Sequence, residues 1–191
     1  MFKKALVIAI LSFGFQAHAG LMELSYSFAR TDSKFDDANF SRSLSHTASL
    51  AWYFLEMSAL EVSYTQGEGQ ISSLNSAGQT IKFRTDLKMY GADIVFTLAA
   101  KDWAFQPYVK GGAAWVDKKI FRKETSVSPE EQLVTETDRD DAVPSMGVGF
   151  RFRLTKTLRL KASYDRWRSG KNADGEEQWD DAIRSGISLF F

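Results

Sequence analysis

Ten charged side chains recur at alternate positions of short segments that otherwise swap between apolar and small polar residues. They are Glu23, Glu61, Asp93, Lys110, Arg151, Arg153, Arg159, Lys161, Asp165 and Arg184. Charges of both signs on one shared face permit two kinds of chemistry. Packed together away from water, they can neutralise one another as hydrogen-bonded ion pairs, the condition under which buried charge is tolerated. Strung along a wetted passage, they can line a path for ions. Bases outnumber acids in this set, so such a path leans towards anions.

Other chemistry is thinly supported. Beyond the N-terminal segment the one histidine is His46, in Ser45-His46-Thr47. Parity puts it on the apolar face, without an acidic partner to orient it, which makes a poor general base. No enzyme activity is expected. Asp138-x-Asp140-Asp141 and Asp174-x-Glu176-Glu177 offer hard oxygen ligands but lack the spacing and bracketing glycine of a calcium loop. Cysteine is absent, which removes disulfides, thiolate nucleophiles and thiolate metal sites. We therefore expect no cofactor and no metal. Lys+Arg and Asp+Glu are 24 each, so no basic excess points to nucleic acid.

The segments that carry the ten charges read as β-strands. In Leu21–Arg30, Met22, Leu24, Tyr26 and Phe28 alternate with Glu23, Ser25, Ser27 and Ala29. That is period two, the repeat of a strand with one apolar face. The same alternation returns in Ser43–Phe54, Ala59–Gln66, Thr80–Ala99, Phe105–Trp115, Val143–Leu154, Leu158–Asp165 and Ile183–Phe191. Within Thr80–Ala99 the apolar phase slips near Lys88-Met89, which predicts a bulge or a strand running on past the apolar zone. Eight strands result. Their connections alternate long and short. Leu55–Ser58, Ala100–Ala104 and Thr155–Thr157 are the short ones. Thr31–Arg42, Gly67–Gly78, Asp117–Ala142 and Ser169–Asp180 read as polar loops, the third with ends that could extend its flanking strands around Ser128-Pro129.

Eight antiparallel strands in sequence predict an all-β, up-and-down barrel. A soluble barrel would turn its apolar face inward; a membrane barrel turns it outward. Three features favour the membrane. The first is a secretory signal: Lys3 and Lys4, an apolar run from Ala5 to Phe15, and the small-x-small site Ala17-His18-Ala19. Cleavage after Ala19 is expected, leaving residues 20–191 as the barrel domain and 1–19 as signal peptide. The second is the loop asymmetry, tight turns on one rim and long loops on the other. The third is the strand Ile183–Phe191, with Ile187, Leu189 and Phe191 on its apolar face and an aromatic end. Trp52, Trp103, Trp115, Trp167 and Trp179 lie near strand ends or loops and predict an interfacial girdle.

The sequence also resembles the OmpA-like and the OmpX- and OmpW-like small outer-membrane barrels. The resemblance rests on the Ile187-x-Leu189-x-Phe191 ending, on Pro107-Tyr108-Val109-Lys110-Gly111-Gly112-Ala113-Ala114-Trp115, and on the hairpin Trp52-Tyr53-Phe54 to Leu60-Glu61-Val62. It implies a transmembrane barrel of a Gram-negative outer membrane. It also implies an ending similar to the signal read by the barrel-assembly machinery, with periplasmic chaperones serving biogenesis. Outer-membrane lipid and lipopolysaccharide would surround a monomer. A structural or surface-interaction role is expected, with a narrow, porin-like channel for small solutes or ions as the alternative.

Overall fold

The computed structural model describes residues 22–34, 40–74, 80–100, 102–124, 133–139, 142–171 and 177–191. The expected signal segment lies outside these residues, as do Ser128-Pro129, Asp140, Asp141, Asp174 and Glu176. The described strands are β1 (Met22–Lys34), β2 (Phe40–Leu55), β3 (Ser58–Leu74), β4 (Thr80–Thr97), β5 (Phe105–Glu124), β6 (Leu133–Arg139), β7 (Val143–Arg153), β8 (Leu158–Lys171) and β9 (Glu177–Phe190).

Each strand pairs antiparallel with the next, and β9 returns to β1, so the sheet closes on itself. The barrel has eight positions around its wall. β6 and β7 share one of them: β7 pairs with Phe105–Ala114 of β5, and β6 pairs further along with Asp117–Lys123. The closing seam runs from Glu23 opposite Phe190 to Phe28 opposite Ser185. It is finished by Met22 N–H donating to Phe191 O at 2.9 Å and Phe191 N–H donating to Met22 O at 3.0 Å. At Gly186, across from Ser27, a Cβ would collide with the Tyr26 carbonyl oxygen. The seam closes this tightly only because that residue has no side chain.

The short connections lie where the alternation places them. Glu56-Met57 makes the first turn. In the last, Thr155 Oγ1 accepts from the N–H groups of Thr157 (3.2 Å) and Leu158 (2.9 Å), a hydroxyl standing in for a backbone acceptor.

The strands overrun the segments expected from alternation. β1 reaches Lys34 and β2 begins at Phe40, so most of the loop expected over Thr31–Arg42 is strand. Likewise β3 runs to Leu74, β5 to Glu124, β8 to Lys171, and β9 starts at Glu177. Beyond the lipid neither face of a strand needs to be apolar, so period two fades while the hydrogen-bond ladder goes on. β4 settles its own case. Its register with β3 and β5 is unbroken from Thr80 to Thr97, so the phase slip is not a bulge. Odd positions face inward all along β4. Only the placement of apolar residues changes sides, from outside below (Tyr90, Ile94, Phe96) to inside above (Leu87, Met89).

A belt of exposed apolar side chains circles the lower barrel. Leu24, Leu60, Val62, Ile94, Val109, Val148, Phe150, Leu160, Ile187 and Leu189 all stand outward. Along β4 and the residue that follows it, the belt runs from Tyr90 to Leu98, nine residues, which fits the roughly 9–11 residues of a tilted transmembrane strand. Above it the sheet opens. The pairing of β1 with β9 stops at Phe28–Ser185, and that of β7 with β8 stops at Ser145–Trp167. A wall of β1 to β6 continues upward on one side, and the β8–β9 hairpin continues on the other.

Candidate functional site in the barrel lumen

The inward positions form layers. Lowest, near the short turns, lies an apolar cluster of Ala51, Tyr53, Ala59, Val95, Tyr108 and Phe190. Tyr53 and Phe190 meet edge to face with centroids 5.4 Å apart. Arg159 closes this layer, its guanidinium 4.2 Å from the Phe190 ring centre and its Nη1 donating to Gln106 Oε1 at 3.1 Å.

Glu23 and Arg151 form the next layer, and both are fully buried. Arg151 Nε donates to Glu23 Oε1 at 2.9 Å, and the Tyr53 hydroxyl donates to the other carboxylate oxygen. The Arg151 guanidinium also lies 4.3 Å from the Tyr108 ring centre. Tyr108 occupies space that Gly149 leaves open: a Cβ on Gly149 would stand 2.6 Å from the Tyr108 ring. The glycine lets the ring lie flat across the sheet, where it supports the arginine.

The third layer is a six-member network of charge. Lys161 donates to Glu61 Oε2, and Lys110 reaches Glu61 Oε1 at 3.3 Å. Lys110 also lies 2.9 Å from Asp165 Oδ1 and 3.6 Å from Asp93 Oδ2. One ammonium thus faces three carboxylates, with a hydrogen bond to Glu61 and ion pairs to Asp165 and Asp93. Ser145 donates to Asp93 at 2.6 Å and Ser163 to Asp165 at 2.9 Å. Arg184 completes the chain through Nη1 to Asp165 Oδ2.

Above the charges the lumen turns apolar again. Met89, Ala114, Val116, Val143 and Trp167 pack together, with Leu87 and Ala182 against them. Lys118 and Asp180 bridge at 3.0 Å higher still. Only about 20 Å³ of free space lies at the junction of the charged chain and this upper cluster.

Nine of the ten singled-out charges therefore meet inside the lumen. Arg153 stands apart. It lies opposite Arg159 on the ladder, half-buried at the lower rim, and joins none of these pairs. One sequence expectation fails: Trp167 is not in the girdle. It is 5 % exposed and faces inward, because it shares the odd parity of Arg159, Lys161 and Asp165 on β8. Trp52, Trp103 and Trp115 do stand outward, and Trp179 is half-buried beneath Arg166. Sequence reasoning also passed over Tyr53, Gln106, Tyr108 and Phe190 as lumen residues. Their parity was the available signal. His46 faces outward and accepts or donates a 2.8 Å hydrogen bond with the Tyr26 hydroxyl. Among the described residues, no group of three or more His, Cys, Asp or Glu could hold a metal ion.

An apolar belt, a closed antiparallel meander and a polar interior define a small barrel built to sit in a bilayer. A family model described as the outer membrane protein beta-barrel domain matches residues 5–191, and the chain belongs to that family. Solved structures of the same shape include three bacterial barrels. Neisserial surface protein A is 12% identical over 92% of this chain and 100% of its own, with a TM-score of 0.55. CarO of Acinetobacter baumannii is 13% identical over 90% and 98%, at 0.54. OprG of Pseudomonas aeruginosa is 11% identical over 90% and 93%, at 0.53. Identities this low establish a common fold. No curated protein sequence matches the chain.

Proposed function

We propose that the protein is a sealed outer-membrane barrel whose role is structural or exercised at the cell surface. The observation that carries this reading is the stacking of the lumen: a linked set of buried ion pairs capped below and above by apolar clusters. An ion entering would have to displace side chains that are already held in buried ion pairs. Desolvation makes that costly, since removing one partner strands the other without a counter-charge. Planar-bilayer recording of the refolded protein tests it. Stable baseline current at moderate voltage is the expected outcome. Discrete openings that change on Arg151→Ala would instead establish the narrow channel.

In the same reading the short turns face the periplasm and the tall wall faces outward. Cleavage after Ala19 and chaperone-assisted delivery to the barrel-assembly machinery precede insertion. Ile187 and Leu189 are exposed on the outer face of β9 and Phe191 is exposed just past its end, where such a receptor could read them. The barrel works as a monomer among lipid and lipopolysaccharide.

A further inference from the structure

The ion pairs of the lumen leave some of their donors unused. Arg184 meets Asp165 through Nη1 alone; its Nε and Nη2 are buried without a hydrogen-bond partner. Trp167 Nε1 is buried and equally without one. The two side chains are neighbours, the Arg184 guanidinium carbon lying 5.5 Å from the Trp167 ring centre. They are 4 % and 5 % exposed, so water outside the barrel does not reach them. A buried donor in this condition carries its full desolvation cost.

The nearby carboxylates are already engaged. Asp165 Oδ2 accepts from Ser163 and from Arg184 Nη1, and Oδ1 lies 2.9 Å from Lys110. Asp93 Oδ1 accepts from Ser145, and Oδ2 faces Lys110 at 3.6 Å. Yet there is room for a further acceptor. The free space of about 20 Å³ at the top of the charged layer is bordered by Arg184, Trp167, Lys110, Asp93, Asp165 and Ser145. One particle the size of a water molecule fits such a volume.

The charge balance of the lumen says which particle suits it. The enclosed acids are Glu23, Glu61, Asp93 and Asp165; the enclosed bases are Lys110, Arg151, Arg159, Lys161 and Arg184. The set carries one positive charge in excess, in an interior where uncompensated charge is expensive. A single monovalent anion balances it. A water accepts two hydrogen bonds and brings two donors of its own to a place that lacks acceptors. A monatomic anion accepts from all three N–H groups and brings none. The flanking carboxylates do not act on it unopposed, because Lys110 stands against both of them.

We propose that this space holds one halide ion, chloride in ordinary salt, bound by Arg184 Nε and Nη2 and by Trp167 Nε1. A polyatomic anion such as sulfate is too large for it. The apolar cluster of Met89, Ala114, Val116, Val143 and Trp167 lies above, so the ion is taken up as the barrel closes and exchanges slowly afterwards. It serves as a fixed counter-ion of the lumen. The site goes beyond the surface role proposed above and does not depend on it.

The test refolds the mature barrel with bromide as the only halide and crystallises it in the same salt. Anomalous diffraction at the bromine edge should show a peak within hydrogen-bond reach of Arg184 and Trp167. In phospholipid vesicles at fixed ionic strength, replacing gluconate by chloride should raise the urea unfolding midpoint, since the ion binds the folded state alone. Trp167→Phe keeps a ring beside Arg184 but removes the N–H, and should need about tenfold or more chloride for the same rise. Arg184→Lys keeps the charge beside Asp165 without Nε and Nη2, and should weaken the response likewise. Trp115→Phe, an outward ring, should follow the wild type. An ordered water with no anomalous peak would overturn the proposal. So would a chloride response that Trp167→Phe and Arg184→Lys both leave unchanged.

Discussion

The closed barrel and the wall that rises from it are made from the same strands but obey different constraints. In the barrel every position is committed twice, to lipid on one side and to a filled lumen on the other. Leu24 faces out beside Glu23, which is fully buried beneath Arg151. In the wall neither commitment holds. Arg84 and Glu68 stand in solvent, and their ion pair at 3.9 Å joins two exposed side chains. The difference teaches where sequence change should matter. Charge is structural where it is enclosed and adjustable where it is not.

Matched substitutions in the two regions sharpen that contrast. The largest effect is expected for Arg151→Ala. It leaves Glu23 buried without its cation, a loss of about 3–5 kcal/mol. Arg84→Ala in the wall should cost less than about 1 kcal/mol. Equilibrium urea unfolding in phospholipid vesicles measures both, and equal costs would break the distinction. Next comes the lipid face. Ile94→Arg places a cation near the middle of the belt on β4, and should cost about 2–4 kcal/mol. Gln70→Arg, outward on the wall, should leave the unfolding midpoint where it was. The smallest effect is steric. Gly149→Ala drives a methyl against the Tyr108 ring and the Ala162 carbonyl, overpacking worth about 1–3 kcal/mol. Gly69→Ala in the wall meets nothing nearer than the Thr85 Cβ at 3.7 Å and should be neutral or slightly stabilising. A Gly69→Ala penalty as large as that of Gly149→Ala would show that the wall is packed like the barrel.

The same contrast explains what the sequence made legible. Within the belt, alternation identified eight strands and their faces, because lipid demands apolar residues at every second position. Thus Glu23, Glu61, Asp93 and Arg151 could be set on one face from parity alone. Above the belt that demand ends. Thr31–Lys34 and Glu68–Leu74 carry no alternation, yet they pair residue for residue with β2 and β4. Backbone hydrogen bonds hold these stretches, and backbone bonds leave no mark on side-chain pattern. The lumen was legible in outline but not in depth. Parity places Trp167 and Lys161 on one face of β8, but it does not say that one meets Glu61 and the other an apolar cap. That depends on how far each strand is shifted along its neighbour.

The incomplete closure of the upper sheet has a consequence for crowding. Above Phe28–Ser185 the outer edge of β1 has no partner strand among the described residues, and β6 is paired on one side only. Unpaired strand edges are templates on which a neighbouring molecule can add a strand and seed aggregation. The sequence of these edges resists it. β1 carries Arg30, Asp32 and Lys34 there, and β6 carries Glu136, Asp138 and Arg139. Charged residues on a strand edge discourage that pairing. Densely packed copies in one membrane can therefore stand side by side without their walls fusing into a continuous sheet.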